Sequence, residues 1–343
     1  MQAVILAAGS STRTYPLTLT KPKPLLKAAN RTLLEHNLDA LKGTAKEIIM
    51  VVGYKKDMIK DFLKNKYKNF KIRFVEQHEQ LGTGHALSQV EKFIKDKFIL
   101  LMGDNIYCKE DVNNINKERY SILTTKTENP ELFGVVIQNN RKLLNVIEKP
   151  QLFVSNSISC ALFSFDRKIF SLLKMVKKSR RGEYELTDAI RQLAMEESVY
   201  CVKSRQWLPI GYPWDLLNAD KILRKNKNSV GNNAKIEDKV ENSSIGSNCI
   251  IKGKVKNSIV MDDSIIDSNS IVEDSIVGEN VYFKGTAKSG KNASSVVKGK
   301  PVLVESLGAI IGDNVKAEDV NISPGCNIWP NNHIRGLINE DII

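Results

Sequence analysis

The 343-residue sequence is poor in histidine and aromatic residues and has no long hydrophobic run. It contains four histidines, and Phe, Trp and Tyr together make up 7% of the residues. No stretch approaches the ~18 consecutive apolar residues of a membrane-spanning helix, which excludes such a span. The hydrophobic fraction of 42% is in turn too high for a mainly disordered chain. At ~100–200 residues per domain, the length predicts two globular domains and allows three.

Closely spaced cysteines are also missing. The five cysteines lie far apart and include no Cys-x-x-Cys motif. We therefore expect free thiols in a reducing cytoplasm. The N-terminus has no basic start and too short an apolar run for a secretory signal peptide.

Positive charge is in excess, with 51 Lys and Arg against 39 Asp and Glu and a net charge of +12. This balance suits either an anionic partner, such as a phosphorylated small molecule, or simply a lysine-rich surface. The lysines are spread over most of the chain without a basic block interleaved with aromatics. The sequence therefore predicts neither a nucleic-acid nor a membrane partner.

Short apolar runs alternate with amphipathic stretches up to about residue 225. The predicted strands are Ala3–Ala7, Ile48–Val52, Ile72–Val75, Phe98–Met102 and Ser121–Thr125. The predicted helices are Thr32–Leu41, with a capping box of Thr32 and Glu35, and Thr83–Phe93. This alternation predicts an α/β domain with a Rossmann-like, mostly parallel sheet over residues 1–228, whose ligands bind beyond the carboxyl ends of the strands.

A six-residue period begins after the basic stretch at residues 224–229. Aliphatic residues recur there between small polar ones, at Val230 and Ile236, Ile245 and Ile251, and Ile259, Ile265, Ile271 and Val277, with second aliphatics at Val260, Ile266 and Val272. This period fits neither a helix nor an alternating strand, but it fits a parallel β-helix over residues 229–343. Residues 284–301 break the period and predict an excursion, after which the repeat resumes weakly through Ile310, Val315 and Ile322.

A loop of small residues follows the first predicted strand and ends in a cation. Its residues Ala8, Gly9, Ser10, Ser11 and Thr12 expose backbone N–H groups suited to phosphate oxygens, and Arg13 adds a planar cation. Lys23 follows between two prolines, which stiffen the backbone around it. The loop is neither a Walker loop nor a G-x-G-x-x-G fingerprint, so composition alone leaves an ordinary turn open.

This stretch, from Leu6 to Arg13 and on through Pro16-Leu17-Thr18 to Lys21-Pro22-Lys23-Pro24-Leu25-Leu26, resembles the signature of the sugar-1-phosphate nucleotidylyltransferases. The resemblance covers the whole chain, because many members carry a C-terminal left-handed β-helix. It is strongest to archaeal proteins that join this domain to a helix related to sugar N-acetyltransferases. It implies that Arg13 holds a triphosphate and that Lys23 stabilises charge on the α-phosphate and the departing pyrophosphate.

Further segments match the same family in order. By resemblance, Gln77 hydrogen-bonds to the edge of the nucleobase, and Gly82 and Thr83 support it in the same site. The resemblance of the sequence Leu-Gly-Thr-Gly-His to uridylyltransferases favours UTP over dTTP. An amide offers both the donor and the acceptor that a pyrimidine edge requires. Asp104 follows a continuous apolar strand, where a carboxylate is well placed to hold Mg²⁺, and the resemblance assigns it that role.

The sugar 1-phosphate site is implied at Gly134, Glu148, Lys149 and Ser159. Gly134 would offer backbone contacts, Glu148 would accept sugar hydroxyls and Lys149 would meet the phosphate. The chain departs from the family where Ser159-Cys160-Ala161 replaces Asn-Ala-Gly, and where Pro209 replaces a second metal-binding Asp or Asn. Ser11 also replaces a common glycine, which is tolerated only if its φ is negative.

The predicted reaction joins a nucleoside triphosphate and a sugar 1-phosphate into a nucleotide sugar and pyrophosphate. UDP-glucose and UDP-N-acetylglucosamine are the expected products, with dTDP-glucose left open. One alternative adds glucosamine-1-phosphate N-acetyltransferase activity, and another is a non-catalytic regulatory or scaffolding subunit. The flat sides and open end of the β-helix predict a homo-oligomer.

Overall fold

The protein is described by a computed structural model that covers residues 1–64, 67 and 70–343. The chain divides into two compact units that are discontinuous in sequence. The sheet unit comprises Met1–Gly9 and Leu34–Leu208, and the β-helix unit comprises Ser10–Leu33 and Pro209–Ile343. No helix within the described residues is long and apolar enough to cross a membrane. All five cysteines are unpaired.

Thirteen strands and seven α-helices occupy the described residues up to Arg224. The strands are β1 (Gln2–Ala7), β2 (Lys27–Ala28), β3 (Arg31–Thr32), β4 (Glu47–Val52), β5 (Lys71–Glu76), β6 (Phe98–Met102), β7 (Asn105–Tyr107), β8 (Ser121–Lys126), β9 (Gly134–Asn139), β10 (Lys142–Glu148), β11 (Ser157–Phe165), β12 (Tyr200–Lys203) and β13 (Trp207–Pro209). The helices are α1 (Leu33–Leu41), α2 (Lys56–Lys64), α3 (Thr83–Ser88), α4 (Lys109–Ile115), α5 (Lys168–Leu173), α6 (Leu186–Glu196) and α7 (Pro213–Arg224).

The sheet unit is built on one nine-stranded sheet in the order β5-β4-β1-β6-β11-β8-β12-β10-β9. Strands β5, β4, β1 and β6 run parallel, and β1 lies between β4 and β6 with all six residues buried. Beyond β6 the sheet is mixed, since β11 is antiparallel to both β6 and β8. The predicted α/β fold is confirmed, and the predicted strands are present with ends extended by at most one residue.

Two predicted helices are shorter in the structure. Helix α1 begins at Leu33 rather than Thr32. The segment predicted as Thr83–Phe93 forms α3 up to Ser88 and then a separate 3₁₀ turn, Glu91–Phe93. The backbone bonds switch to three-residue spacing there, with Val90 N donating to Leu87 O at 3.1 Å. This tighter winding accompanies the complete burial of the Val90 side chain in the core.

The β-helix unit contains seventeen further strands among its described residues. These are β14 (Ser229–Val230), β15 (Lys235–Ile236), β16 (Val240–Glu241), β17 (Ser244–Ile245), β18 (Ile250–Ile251), β19 (Lys254–Lys256), β20 (Ile259–Val260), β21 (Ile265–Ile266), β22 (Ile271–Glu273), β23 (Ile276–Val277), β24 (Tyr282–Ala287), β25 (Gly290–Val297), β26 (Lys300–Leu307), β27 (Ile310–Ile311), β28 (Lys316–Ile322), β29 (Asn327–Ile328) and β30 (His333–Ile338).

These strands stack in parallel, turn upon turn, as the sequence period predicts. One face follows the order β14-β17-β20-β23-β27-β29, and the other two faces share a second sheet. The buried column of the first face runs Ile245, Val260, Val277, Ile311 and Ile328. Because each turn covers the apolar residues of the next, the core is a continuous column.

On the other two faces, the predicted phase of the buried aliphatic residues is wrong by one residue in the middle turns. Ile265 and Ile271 are partly exposed, whereas their neighbours Ile266 and Val272 are fully buried. The first turn also differs, because Val230 and Ile236 are 49% and 41% exposed. A terminal turn has no neighbouring turn on one side, so its apolar residues stay open to solvent.

An asparagine ladder occupies one corner of successive turns. Asn233, Asn248, Asp263, Asn280 and Asn314 all have positive φ, between 54° and 61°. Side-chain hydrogen bonds run from Asn233 to Asn248 at 3.2 Å, from Asn248 to Asp263 at 2.9 Å and from Asn280 to Asn314 at 3.0 Å. Asn and Asp tolerate the left-handed region because their short side chains hydrogen-bond locally. These residues therefore allow the chain to turn sharply at this corner with little strain.

The predicted excursion is an antiparallel hairpin of β25 and β26, from Gly290 to Leu307. It ends later than the predicted 284–301 segment. Residues 284–287 still belong to the β-helix as part of β24, which pairs with β28. Buried and exposed residues alternate over residues 292–296 of β25, as in an ordinary strand, and the six-residue period is absent there.

Candidate active site

In the sheet unit, the loop after β1 begins between close backbone neighbours. The Ala8 carbonyl accepts bonds from Tyr54 N at 3.1 Å and from Gln80 Nε2 at 2.8 Å. A Cβ on Gly53 would lie 2.8 Å from Ala8 O and 3.2 Å from Gln77 O, so only glycine fits there. Gly9, by contrast, has open space where a side chain would be. The loop therefore leaves β1 in a fixed direction and presents an uncovered backbone.

Gln77 lies directly after β5 and is 5% exposed. Its Nε2 lies 3.0 Å from His85 Nδ1 and donates more weakly to Gly82 O at 3.4 Å. Since both contacts engage the nitrogen end of the amide, they orient the side chain through residues of α3 and the turn before it. His85 belongs to the Leu-Gly-Thr-Gly-His motif, but sequence reasoning gave it no role of its own and did not predict its contact with Gln77.

The turn at Gly82 depends on close packing against Tyr184. Gly82 has φ +101°, and a Cβ there would lie 2.8 Å from Tyr184 O. Gly84 N donates to the same carbonyl at 2.9 Å, and Tyr184 N donates to Leu81 O at 2.8 Å. Thr83 Oγ1 accepts from Leu186 N at 3.3 Å, so its hydroxyl also braces this segment.

Asp104 follows β6 and Gly103, whose N–H donates to Leu6 O at 2.8 Å. This bond brings the residue before Asp104 against the end of β1. The Asp104 side chain is half-buried. A carboxylate oxygen is a ligand that hard divalent cations prefer, so this residue fits a metal role.

Tyr107 connects β7 to the segment around Ser159. Its hydroxyl lies 2.9 Å from both Cys160 O and Ala161 O and shares its proton between them. Burial raises the pKa of Tyr107 far above its ordinary value, so the hydroxyl remains a donor. Ser159 is buried, and its Oγ accepts from Ala161 N at 3.1 Å.

Ala161 has φ +55°, in the left-handed region where the related family commonly has glycine. We expect Ala161→Gly to raise the free energy of unfolding by about 0.5–1 kcal/mol, because the relief of Cβ strain exceeds the entropy that glycine loses. Urea denaturation of both proteins measures the change. Ala194→Gly, within helix α6, is the matched control and should lower stability by about 1 kcal/mol. A stability loss in Ala161→Gly would contradict the strain argument.

Three residues of the predicted sugar site lie on adjoining strands. Glu148 pairs with Gly134 between β10 and β9, and Ile158, next to Ser159, pairs with Val135. A Cβ on Gly134 would lie 3.3 Å from Glu148 Oε2. Lys149 is tied to the same turn through its N–H, which donates to Phe133 O at 3.0 Å. The structure therefore brings Gly134, Glu148, Lys149 and Ser159 together.

Glu148 carries an elevated pKa. Burial is the main cause, and the nearby Glu185 carboxylate adds to it, while the charges of Lys149 and Arg181 oppose the shift. Arg181 Nη1 lies 3.6 Å from Glu148 Oε1, and the same guanidinium pairs with Glu183 at 3.1 Å. Sequence reasoning did not select Arg181, since a basic residue in a polar loop has no distinctive spacing.

This shift predicts a pH dependence of sugar binding. A raised pKa means that Glu148 protonates at a pH above the ordinary value of 4.5, so it loses acceptor capacity early as pH falls. The KM for a sugar 1-phosphate is therefore expected to rise as pH falls from neutrality towards that pKa. Glu148→Gln is the control, because its KM should be high at every pH and keep only the pH dependence of the substrate phosphate. Identical pH profiles for both proteins would exclude Glu148 as the titrating group.

In the β-helix unit, Ser11 adopts φ +56°. The condition for tolerating serine in place of glycine is therefore not met, and the strain is present. The Ser11 carbonyl accepts three bonds, from Thr14 N at 3.1 Å, Thr14 Oγ1 at 2.8 Å and Thr18 Oγ1 at 2.9 Å. These bonds hold the turn that precedes Arg13. Thr14 and Thr18 are fully buried and were not selected from the sequence.

Arg13 and Lys23 share one carboxylate neighbour, Asp215. Arg13 is exposed and its guanidinium lies 5.6 Å from the centre of the Tyr212 ring. Lys23 is 3% exposed and donates from Nζ to Ile210 O at 2.7 Å. Burial raises the pKa of Asp215, while its bonds from Tyr212 N and Gly211 N and the charges of Lys23 and Arg13 counteract this.

Pro209 offers no side-chain ligand, as its residue type dictates. Asp215 does not replace the missing carboxylate in the family pattern: its Oδ2 accepts from Gly211 N at 2.8 Å and Tyr212 N at 2.7 Å, at the start of α7. Within the described residues, no group of three or more His, Cys, Asp or Glu side chains is arranged to hold a metal ion. The donor set thus fits an ion held by Asp104 together with substrate oxygens.

Comparisons with known proteins agree with these features. Residues 2–226 match the family described as Nucleotidyl transferase, and residues 219–343 match the GMPPB C-terminal domain. The Bifunctional protein GlmU of Methanococcus maripaludis (strain C5) is 33% identical, over 100% of this chain and 95% of that protein. The UTP–glucose-1-phosphate uridylyltransferase AglF of Haloferax volcanii is 34% identical, over 66% of this chain and 97% of that protein.

A solved UDP-glucose pyrophosphorylase in complex with UDP-glucose has a TM-score of 0.59 at 21% identity, covering 66% of this chain and 99% of that one, and supports the fold alone. The family matches and the relatives with 33–34% identity support the enzyme family as well as the fold. They cover the loop after β1, Asp104 with the strand β6 that precedes it, and strands β9, β10 and β11. The chain therefore belongs to the nucleotidyl transferase family and is a sugar-1-phosphate nucleotidylyltransferase.

Proposed function

We propose that the protein transfers a uridylyl group from UTP to glucose 1-phosphate or N-acetylglucosamine 1-phosphate. The observation that carries the choice of a pyrimidine nucleotide is the buried Gln77 amide, whose nitrogen end is engaged by His85 and Gly82. Because the nitrogen end is engaged by these two protein groups, the amide oxygen is left to accept a hydrogen bond from the ring N–H of a pyrimidine such as uracil. The name of the Haloferax relative supports UTP as the donor.

In this proposal the cations neutralise the triphosphate. Arg13 binds it, with backbone N–H groups of Ala8, Gly9, Ser10, Ser11 and Thr12, and Lys23 stabilises charge that builds up during the transfer. The family generally uses a divalent metal, and we propose Mg²⁺ held by Asp104. Such an ion, when bound, neutralises phosphate oxygens.

The chemical step is an in-line displacement. A sugar phosphate oxygen forms a bond to the α-phosphorus, the bond from that phosphorus to the β-phosphate oxygen breaks, and pyrophosphate leaves. The attacking oxygen is already anionic, so the residues need only to position the reactants and offset charge. Glu148 accepts sugar hydroxyls and Lys149 meets the phosphate, while Gly134 and Ser159 lie on the adjoining strands β9 and β11.

Pyrophosphate release from a substrate panel tests this proposal. UTP, dTTP, ATP, CTP and GTP are each paired with glucose 1-phosphate and N-acetylglucosamine 1-phosphate in millimolar Mg²⁺. UTP with at least one sugar should give the highest kcat/KM. A higher value with dTTP would overturn the choice of UTP, and no release from any pair would favour a regulatory or scaffolding role instead.

A second activity, acetyl transfer to glucosamine 1-phosphate, is favoured by the full-length match to proteins named bifunctional. The residues of the β-helix argue against this activity, because acetyl transfer to an amine needs a general base, which is usually histidine. No histidine occurs between residues 230 and 332, and His333 Nε2 lies 2.7 Å from Glu318 Oε2. Thiol release from acetyl-CoA with glucosamine 1-phosphate decides the question, and we expect none above background.

We also propose a cytoplasmic homo-oligomer assembled through the β-helix. Apolar side chains are open on that unit, with Leu337 64% exposed and Val230 49% exposed. Light scattering coupled to size exclusion should give a mass of two or more times the 38.5 kDa of one chain. A monomeric mass would refute the assembly.

A further inference from the structure

The segment that carries Lys23 lies against one corner of the β-helix, within the same unit. Three acidic residues, Asp262, Glu279 and Asp313, occupy equivalent positions of consecutive turns there. Their register is defined by the backbone, because Asn280 N donates to Asp262 O at 3.0 Å and Asn314 N donates to Glu279 O at 2.9 Å. We call these three residues the carboxylate column.

The carboxylate column pairs with residues on both sides of Lys23. Lys21 Nζ lies 2.8 Å from Glu279 Oε1 and 2.9 Å from Asp313 Oδ2, and Thr20 Oγ1 donates to the same Asp313 oxygen at 2.5 Å. Lys27 Nζ forms an ion pair with Asp262 Oδ2. The Lys21 contacts lack hydrogen-bond geometry, so they act chiefly through charge. Lys21 and Asp313 are 5% and 7% exposed, so water screens this pair little.

Each aspartate of the column is itself fixed. Asp313 Oδ1 accepts from Glu279 N at 2.8 Å, and Asp262 Oδ1 accepts from Ser247 N at 2.9 Å. One oxygen of each carboxylate therefore binds the neighbouring turn, while the other binds the segment. This double engagement makes the column a rigid support, since neither aspartate can rotate without losing a backbone bond.

Lys23 lies between these anchors on a stiff stretch of chain. Pro22 and Pro24 restrict the backbone on each side, and Leu26 N donates to Lys23 O at 2.9 Å. Because the backbone here is stiff, a displacement of Lys21 or Lys27 also displaces Lys23. The column also neutralises two of the three lysines in this segment, which limits their repulsion of Lys23.

We propose that Asp262, Glu279 and Asp313 are positioning residues for nucleotidylyl transfer, because they set the place of Lys23 through Lys21 and Lys27. The inference rests on the proposed function of Lys23. It makes the β-helix part of the catalytic apparatus as well as a surface for assembly. Displacement of a group that stabilises the transition state by about 1 Å can cost roughly 10²-fold in rate, so modest shifts have measurable effects.

The test is a set of charge-removing substitutions that retain shape. Asp262→Asn combined with Asp313→Asn should lower kcat for pyrophosphate release by about 10–100-fold, with the KM for sugar 1-phosphate within about twofold of wild type. Asp263→Asn is the matched control: it removes one charge from the same turn as Asp262, in a ladder otherwise made of asparagines. Its kcat should match wild type.

Activity is assayed well below each melting temperature, so that a purely structural role would lower Tm and leave kcat unchanged. That outcome overturns the proposal. If the double variant does not fold, Lys21→Gln removes the charge from the other side and should lower kcat in the same direction, and an unchanged kcat again overturns it. An inactive wild-type protein would refute the proposed function, and the inference with it. Active wild type beside fully active column variants refutes the inference alone.

Discussion

Replacing Lys23 with alanine is expected to lower kcat by about 10²–10³-fold, the scale for losing one preorganised electrostatic contact in the transition state. Lys23 is 3% exposed, is held by its bond to Ile210 O, and lies on a proline-bounded turn. Such a group is oriented before substrate arrives, so its charge is worth more than that of a mobile surface lysine.

Steady-state kinetics with the best substrate pair measure this effect. Lys23→Arg keeps the charge but changes its geometry and should be intermediate, whereas Lys203→Ala removes an exposed lysine and should behave like wild type. Thermal unfolding of Lys23→Ala checks that the protein is folded in the assay. A kcat within threefold of wild type would remove Lys23 from the mechanism.

Asp220→Ala is expected to lower the free energy of unfolding by about 3–5 kcal/mol, because it leaves a buried guanidinium without its partner. Asp220 and Arg224 are 1% and 2% exposed and bond at 2.5 Å. Asp220 Oδ1 also accepts from Ala29 N at 2.7 Å and Ser244 Oγ at 2.5 Å. One carboxylate thus connects helix α7, the end of β2 and the first β-helix turns.

Urea denaturation at neutral pH measures the loss. Asp220→Asn keeps the size and an acceptor oxygen, so it should cost less than alanine. The double variant Asp220→Ala, Arg224→Leu removes both charges and should be more stable than Asp220→Ala alone. A loss below about 1 kcal/mol for Asp220→Ala, typical of a surface substitution, would show that the pair is not effectively buried.

The β-helix could be predicted from its period, but the period alone does not give the phase. Doublets such as Ile265-Ile266 offer two aliphatic residues, and spacing cannot choose between them. The corner residues can: Asp263, Asn248 and Asn257 have positive φ, and the fully buried aliphatic follows three positions later in each case, at Ile266, Ile251 and Val260. The asparagine and aspartate pattern is the signal that an aliphatic count leaves unused.

Some features of the candidate site could likewise be predicted from the sequence, and others could not. Resemblance to the family selected Gln77 and Glu148, whereas Asp104 was also indicated by its own chemistry, as a carboxylate directly after a buried strand. Motifs could not show that Ser11 and Ala161 adopt positive φ, since neither residue type indicates it. The Leu-Gly-Thr-Gly-His motif contains His85, but it could not show the three-dimensional contact between His85 and Gln77.

The partners of the Lys23 segment are far away in sequence. Thr20 and Asp313 are 293 residues apart, and Lys27 and Asp262 are 235 apart. At ~5–20 residues per second, the ribosome needs roughly 15–60 s to reach Asp313 after Thr20. The nascent chain thus carries Lys21 and Lys27 for most of its synthesis without the carboxylates they later bind. The ion pairs that fix the Lys23 segment therefore form late in the synthesis of the protein. A chain that is released before Asp262 has been made cannot form them.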